Sequence, residues 1–193
     1  MKKQAITLGQ IGILLPIAAA LLFWIPLIGQ LLMLAPIVLI LISHYNFSKI
    51  YEKPGIFKNM LIGAIVPIVA GIIGSIIMGI ALAAAAVSVQ DPESLGVQQL
   101  TNLIFESGLT IVGAIIMLAG LIVGYYFVFK ALTTLAEDTG VKLFKTAGLL
   151  YFIGAIGIIV FFIGVLVILA GWILHIVAYF SIQHDKEEIA GTS

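Results

Sequence analysis

Long apolar runs separated by short polar segments dominate the chain. A helix needs about 20 apolar residues to cross the roughly 30 Å hydrocarbon core of a bilayer. By that measure the pattern predicts an all-α, integral membrane helical bundle with six transmembrane helices in one domain, residues 1–193. The predicted spans are about 7–24, 29–46, 60–86, 108–129, 147–162 and 165–182, followed by a tail at 183–193.

Two predicted hairpins have almost no polar connector, and they leave an alternative. Pro26 and Gln30 mark the turn of the first hairpin, and Gly164 marks the turn of the second. As one continuous helix, 147–182 has a length of about 54 Å, near twice the core thickness. The rival interpretation therefore has four long helices, with each hairpin replaced by a single kinked helix.

Lysine placement favours six crossings with both termini in the cytoplasm. The chain has no Arg, and its nine Lys fall in the N-terminus, 47–59, 130–146 and the tail, which six spans place on one side. Segment 87–107 holds none. Excess Lys marks the cytoplasmic side. All six Tyr also lie near the inner ends of the spans, where the headgroup region suits an amphipathic ring.

Two local patterns refine this topology. The start Met1-Lys2-Lys3 mimics a signal peptide, but the apolar run continues through Trp24, so we expect an uncleaved first span. In 87–107, Asp91-Pro92 resembles a helix start and apolar residues follow at helical spacing. That segment predicts either a short helix on the outer membrane surface or a loop packed over the bundle.

Composition agrees with a membrane environment and narrows the chemistry. The chain is 62% hydrophobic and 9% charged, against about 25% charged residues in soluble domains. Its formal net charge is zero, which gives no reason to expect a nucleic-acid partner. Cys is absent, and we find no phosphate loop, GxSxG, HExxH or paired intramembrane carboxylates. We therefore expect a non-enzyme, with no catalytic residue, metal site or cofactor.

His175 is the sharpest candidate for chemistry, because an ionisable group at membrane depth is rare and often functional. It lies about 12 Å from the inner end of its span. Gly171, Trp172, Ala178 and Tyr179 share its helix face. A structural role, in which a neutral His175 donates one hydrogen bond across helices, is the favoured interpretation. A proton relay needs a second ionisable group at that depth, and no predicted span carries Asp or Glu in its core.

Small residues recur at regular spacing on two spans. Gly71, Ser75 and Gly79 form one small face, and Gly113, Gly120 and Gly124 form another. Since small residues let helices approach closely in lipid, we expect these faces to make the central helix contact, within a monomer or between protomers. The rival is a narrow pore, in which Ser75 joins His175 as an intramembrane polar site. Pro16, Pro26, Pro36 and Pro67 lie in or beside the spans. Kinks at proline are able to open a cavity or allow gating, and they are also ordinary in membrane helices.

Five lysines of the inner segments are predicted to contact anionic lipid headgroups, at about 1 kcal/mol each. They are Lys49, Lys53, Lys58, Lys142 and Lys145. The neighbouring Glu137 and Asp138 are most simply part of a solvated loop.

The segment Leu135–Leu150, LAEDTGVKLFKTAGLL, resembles the C-terminal signature of a small prokaryotic membrane family, domain of unknown function 996. Leu8–Gly12 and Gly55–Asn59 fit its N-terminal pattern. The resemblance covers nearly the whole chain. It implies a polytopic protein of a prokaryotic plasma membrane, and it names no activity and no catalytic residue.

Two functions remain open from the sequence. The favoured one is a non-enzymatic membrane component that acts through packing, as a homo-oligomer or as an accessory subunit of a larger membrane complex. The alternative is a channel or carrier for a small solute or ion. A water-filled cavity that reaches the bilayer midplane beside His175 favours transport, whereas a dry, fully packed bundle favours the structural role.

Overall fold

The computed structural model describes residues 1–22, 28–88, 108–158 and 163–191, which form α-helices and no strand. The helices, in chain order, are α1 (Lys2–Leu22), α2 (Ile28–Ile50), α3 (Pro54–Ser88), α4 (Gly108–Thr139), α5 (Leu143–Gly157) and α6 (Ile163–Gly191). The predicted all-α fold with six helices is confirmed. The predicted outer-surface helix, Pro26 and residues 192–193 lie outside the described residues.

Apolar length marks this as a membrane protein. Four helical segments are long and apolar enough to cross a bilayer: Lys2–Ala20, Pro54–Ala84, Gly108–Thr139 and Ile163–Ile182. The apolar stretches described in α2 and α5, Leu34–Ile50 and Leu143–Gly157, are shorter.

The two closely connected pairs are antiparallel hairpins. In α1–α2, a Cβ on Gly12 would lie 3.0 Å from the Leu39 Cβ. In α5–α6, Gly154 approaches Gly164, while Gly171 approaches the Ala147 carbonyl. The rival interpretation with four long kinked helices is therefore wrong. Gln30 and Gly164 lie inside helices instead of in the turns. Helix α2 begins at Ile28, two residues before Gln30, and α6 begins at Ile163, one residue before Gly164.

The described residues divide into two compact units. Unit 1 contains residues 1–64 and 125–193, and unit 2 contains residues 65–124. Helices α3 and α4 contribute residues to both units. That the whole chain behaves as a single domain stays a prediction.

Aromatic side chains fill the core of unit 1. Phe47, Phe144 and Tyr179 are fully buried, together with Leu132 and aliphatic neighbours from the other helices. Tyr151 is also largely buried. The expectation that every Tyr sits at the headgroups is therefore wrong for Tyr151 and Tyr179, because their rings pack between helices.

Helix α4 continues well beyond the predicted span. It runs to Thr139 and is followed by Gly140 at φ +78°, a left-handed conformation that suits glycine after a helix end. Asp138 therefore lies in the last helical turn, and the expectation of a solvated loop here is wrong. Its carboxylate forms an ion pair with Lys53 Nζ at 2.6 Å.

That ion pair places the α2–α3 connection beside the end of α4. The hydrogen bond to Asp138 raises the pKa of Lys53. Burial raises the pKa of Tyr51, and the Asp138 charge adds to that rise. Lys2 lies 6.0 Å from the Tyr51 ring centroid. The N-terminal segment and the two lysine-bearing connections thus meet at one end of unit 1.

Close glycine contacts hold unit 2 together. Some of the predicted glycines make such contacts, and others do not. A Cβ on Gly74 would lie 2.7 Å from the Gly113 carbonyl oxygen, and one on Gly120 would overlap the Ala70 side chain. A Cβ on Gly71 or Gly79 would meet nothing within 4 Å among the described residues. The described contact within the chain therefore uses Gly74 on α3. The reason is register, since Gly74 is turned about 60° from Gly71 and about 140° from Gly79 around the helix axis.

Site-directed labelling tests the predicted orientation. Because the chain has no Cys, Lys53→Cys and Lys142→Cys each introduce a single thiol. We expect a membrane-impermeant maleimide to modify both in inside-out vesicles and neither in intact cells. Ser94→Cys, in the lysine-free segment, should show the reverse pattern. Labelling of Lys53→Cys and Lys142→Cys on opposite sides would contradict the topology.

The glycine contacts of unit 2 lead to a prediction about stability, with a control variant on the same helix. Gly74→Ala forces a methyl group against the Gly113 carbonyl, so we expect it to lower the free energy of unfolding by about 1–3 kcal/mol. Gly79→Ala meets open space and favours the helix, so its effect should be neutral or stabilising by up to about 1 kcal/mol. Reversible unfolding in mixed detergent micelles measures both. Equal destabilisation by the two variants would disprove the assigned contact.

Candidate functional site

The site is built on one face of α6. Gly171, His175, Ala178 and Tyr179 are buried and recur at three- and four-residue spacing. A Cβ on Gly171 would lie 3.1 Å from the Ala147 carbonyl of α5. The lack of a side chain at Gly171 lets α5 approach α6 closely, which brings Tyr151 of α5 beside His175.

Tyr179 joins α6 to the first hairpin. A side chain on Gly9 of α1 would overlap the Tyr179 ring, so glycine is needed there for the ring to fit. The Tyr179 hydroxyl lies 3.4 Å from Ser43 Oγ of α2, and that Oγ donates to the Ala5 carbonyl at 2.7 Å. The side chains of Ser43 and Tyr179 and the backbone carbonyl of Ala5 thus link three helices through buried polar groups.

Aromatic packing fixes the imidazole of His175. The ring stacks on Tyr179 with centroids 5.2 Å apart and 18° between planes. Phe144 presents its edge to the His175 ring at 5.7 Å. These contacts hold His175 in one orientation with 3% of its surface exposed.

The two ring nitrogens of His175 have different surroundings. Nδ1 lies 3.3 Å from the Tyr151 hydroxyl, a hydrogen bond between α6 and α5. Nε2 is buried and has no hydrogen-bond partner among the described residues. The first contact links α5 and α6 through the imidazole. The second leaves a polar atom that the structural interpretation does not explain.

A second imidazole, which was not among the predicted site residues, lies in the same region. His44 is fully buried, and its Nδ1 lies 2.8 Å from the Ile40 carbonyl of its own helix. It follows Ser43, whose Oγ lies 3.4 Å from the hydroxyl of Tyr179, and the Tyr179 ring stacks on His175. The adjacent pair Ser43-His44 at the end of an apolar run was the available signal. It was missed because periodicity does not show which helices meet.

A cavity of about 670 Å³ lies beside His175 in unit 1. Its walls come from α1, α2, α3, α4, α5 and α6. Pro16 and Pro36 lie on this wall, at positions where the missing backbone donor interrupts α1 and α2. The volume falls within the range of about 300–1,000 Å³ found for small-molecule pockets.

The walls of the cavity are mainly aliphatic. Among the wall residues that the structure describes, four side chains carry polar atoms: Tyr125, Tyr151, Trp172 and His175. Trp172 Nε1 already donates to the Ile13 carbonyl at 3.1 Å. Among the described wall residues none is Asp, Glu, Lys or Arg. Such a surface suits a lipophilic molecule far better than an ion.

The cavity is partly open at the surface of the helices, so molecules of the membrane reach it. Water is a poor filler, because each molecule needs two to four polar partners. Apolar matter, from lipid or from a specific ligand, is therefore the physically reasonable occupant.

The other predicted site residues lie elsewhere. Ser75 is an exposed residue of unit 2 and donates to the Ile72 carbonyl of its own helix. Gly124 is buried. The five lysines predicted to contact headgroups, Lys49, Lys53, Lys58, Lys142 and Lys145, are all exposed. Among the residues described, no group of three or more His, Asp or Glu is placed to hold a metal ion.

Comparison with known proteins places the chain among uncharacterised relatives. The model of a family described as "Protein of unknown function (DUF996)" matches residues 32–173. The chain is 33% identical over 183 residues to "Uncharacterized protein MJ1644" of Methanocaldococcus jannaschii, which covers 95% of this chain and 94% of the relative. No solved structure matches.

Proposed function

This chain belongs to the DUF996 family, and we propose that it binds a small lipophilic molecule inside the membrane, in the cavity beside His175. It acts as a non-enzymatic binding or carrier protein. The single observation that carries this proposal is a 670 Å³ cavity whose wall combines aliphatic side chains with a buried imidazole.

The cavity changes the order of the two functions weighed from the sequence. A dry, fully packed bundle was the condition for a purely structural role, and a water-filled cavity was the condition for transport. The space beside His175 supports binding instead. The described wall residues are uncharged and mainly aliphatic. The ligand proposed is therefore a mainly apolar molecule instead of the small solute or ion first considered.

The arrangement of rigid elements also supports binding. The cavity wall is formed by helices whose contacts are fixed at Gly9, Gly154 and Gly171. A ligand therefore meets a largely preformed site, which reduces the entropy lost on binding.

A cavity-filling substitution tests the proposal. Ala64 lines the cavity, so Ala64→Phe should reduce the lipophile retained by the purified protein at least about tenfold. Ala84→Phe, on an exposed position of the same helix, is the matched control and should retain the wild-type amount. Native mass spectrometry and solvent extraction measure the bound molecule. Equal retention by all three proteins, or retention by none, would refute binding in this cavity.

A second function, self-association through α3, is supported by a separate observation. Gly71, Ser75 and Gly79 form a small, regularly spaced face, and a Cβ on either glycine would have no described atom within 4 Å. We propose that a second copy or a partner subunit packs on this face, because small residues favour helix association in lipid.

Bulky side chains on that face provide the test. Gly79→Leu should shift the protein toward the monomer in crosslinking within native membranes and in light scattering after mild solubilisation. Ala84→Leu adds the same bulk to another side of α3 and should leave the distribution unchanged. A monomeric wild-type protein in both measurements would exclude self-association.

A further inference from the structure

Buried side chains close one end of the cavity. Each of the six helices contributes a residue with no exposed surface to this closing layer: Ala5 of α1, Phe47 of α2, Ile56 of α3, Leu132 of α4, Phe144 of α5 and Tyr179 of α6. On every helix this residue lies between the cavity wall and the end of unit 1 where Lys2, Lys53 and Asp138 meet. The described residues therefore close the cavity toward the lysine-bearing end, which we call its near end.

Exposure of the cavity wall rises away from the closing layer. At the near end, Tyr151 is 7% exposed and His175 is also buried. At the opposite, far end, Val165 is 51% exposed, and Ala20 is exposed as well. A molecule that comes from the membrane therefore meets the far end of the described wall first.

The cavity is elongated along the helices. On α6 its wall extends from His175 to Val165, which is about 15 Å of helix, and on α1 from Ile13 to Ala20, about 10 Å. The Trp172 N–H donates to the Ile13 carbonyl, and α1 and α6 run in opposite directions from this bond. Ala20 and Val165 are equally far along the two helices from it, so they lie at the same level. An extended hydrocarbon chain advances about 1.2 Å per bond, so the wall on α6 has the length of about a dozen carbon atoms.

The lining suits hydrocarbon. The Tyr151 hydroxyl lies 3.3 Å from Nδ1 of His175, the Trp172 N–H already has the Ile13 carbonyl as its acceptor, and Nε2 of His175 is buried. Toward the far end the described wall residues are aliphatic: Pro16, Ala19, Ala20, Pro36, Ile37, Val165, Ile168 and Leu169. A charged or strongly polar group placed here would lose its water without gaining a partner of opposite charge, whereas a methylene chain loses nothing.

We propose that the cavity holds a hydrocarbon tail of a membrane amphiphile, inserted with its methyl end toward His175 and with its polar head outside the far end. This inference rests on the proposed binding function and specifies the ligand class and its orientation. Lipid tails surround a membrane protein at high concentration, so occupancy needs no hydrophobic drive beyond a space that packs around the tail. The closing layer stops the tail at the near end.

Photolabelling with two probes tests the orientation. Both are dodecylphosphocholine, and they differ in the position of one diazirine, which is either on the terminal carbon or on the carbon next to the head. In the full-length protein in lipid nanodiscs, we expect the terminal diazirine to modify Tyr151 or Trp172 and the head-side diazirine to modify Ala20 or Val165. Mass spectrometry of the peptides locates each modification.

One helix supplies a reference for lipid that merely surrounds the protein. Ile153 of α5 is 48% exposed, whereas Tyr151 on the same helix is buried. Modification of Tyr151 should therefore saturate as the terminal probe is added, and modification of Ile153 should rise in proportion to the probe.

A cavity-filling variant assigns the labelling to the cavity. Ala64→Phe should lower modification of Tyr151 by the terminal probe about tenfold and leave Ile153 unchanged. Ala84→Phe, at an exposed position of the same helix, should match the unsubstituted protein. Thermal unfolding checks that both variants are folded. If Ala64→Phe does not fold, the comparison of the two probes in the unsubstituted protein still decides the matter.

The outcomes separate this inference from the function on which it rests. If the head-side diazirine modifies Tyr151 as strongly as the terminal one, cavity binding stands and the orientation is overturned. If neither probe modifies the wall although the extraction experiment shows lipophile retained in a cavity-dependent way, the ligand is not a tail. If both experiments are negative, cavity binding itself fails.

Discussion

Close contact between helix backbones at small residues is the constraint on which the rest of this structure depends. Lipid tails are as apolar as the side chains they touch, so packing has to replace the hydrophobic drive that assembles soluble helices. At Gly154 and Gly171 the helices α5 and α6 come near enough for backbone atoms to touch, and Gly9 leaves room for an aromatic ring. These contacts set the positions from which Tyr151, His175 and Tyr179 reach one another.

The same contacts produce both the polar cluster and the cavity. Where glycine is present, helices close and polar groups find partners, as Ser43 does with the Ala5 carbonyl. Pro16 and Pro36, in contrast, line the cavity. His175 lies at the boundary between these two regions. One nitrogen is satisfied by the packed side, and the other has no partner among the described residues.

Sequence reasoning succeeded for properties that depend on consecutive residues. Apolar length predicted the six helices, and the placement of lysines predicted that the two inner connections share a side, which agrees with the Lys53–Asp138 ion pair. It failed where a tertiary contact outweighed the local pattern of polar residues. Polar residues after position 129 suggested a loop, yet α4 continues because packing against neighbouring helices buries Leu132 and Leu135.

The sequence alone determined that this protein is a bundle of apolar helices with a buried histidine, because helix length and hydropathy are properties of consecutive residues. Only the tertiary structure decided which glycine of α3 faces another helix, that His44 and His175 share a region, and that a cavity lies beside them. Small faces recur on every side of these helices, and an apolar helix in lipid has no polar side to fix its rotation. The helix partner therefore selects the buried face, and that selection depends on contacts between residues far apart in the sequence, from Gly74 and Gly113 to Gly9 and Tyr179.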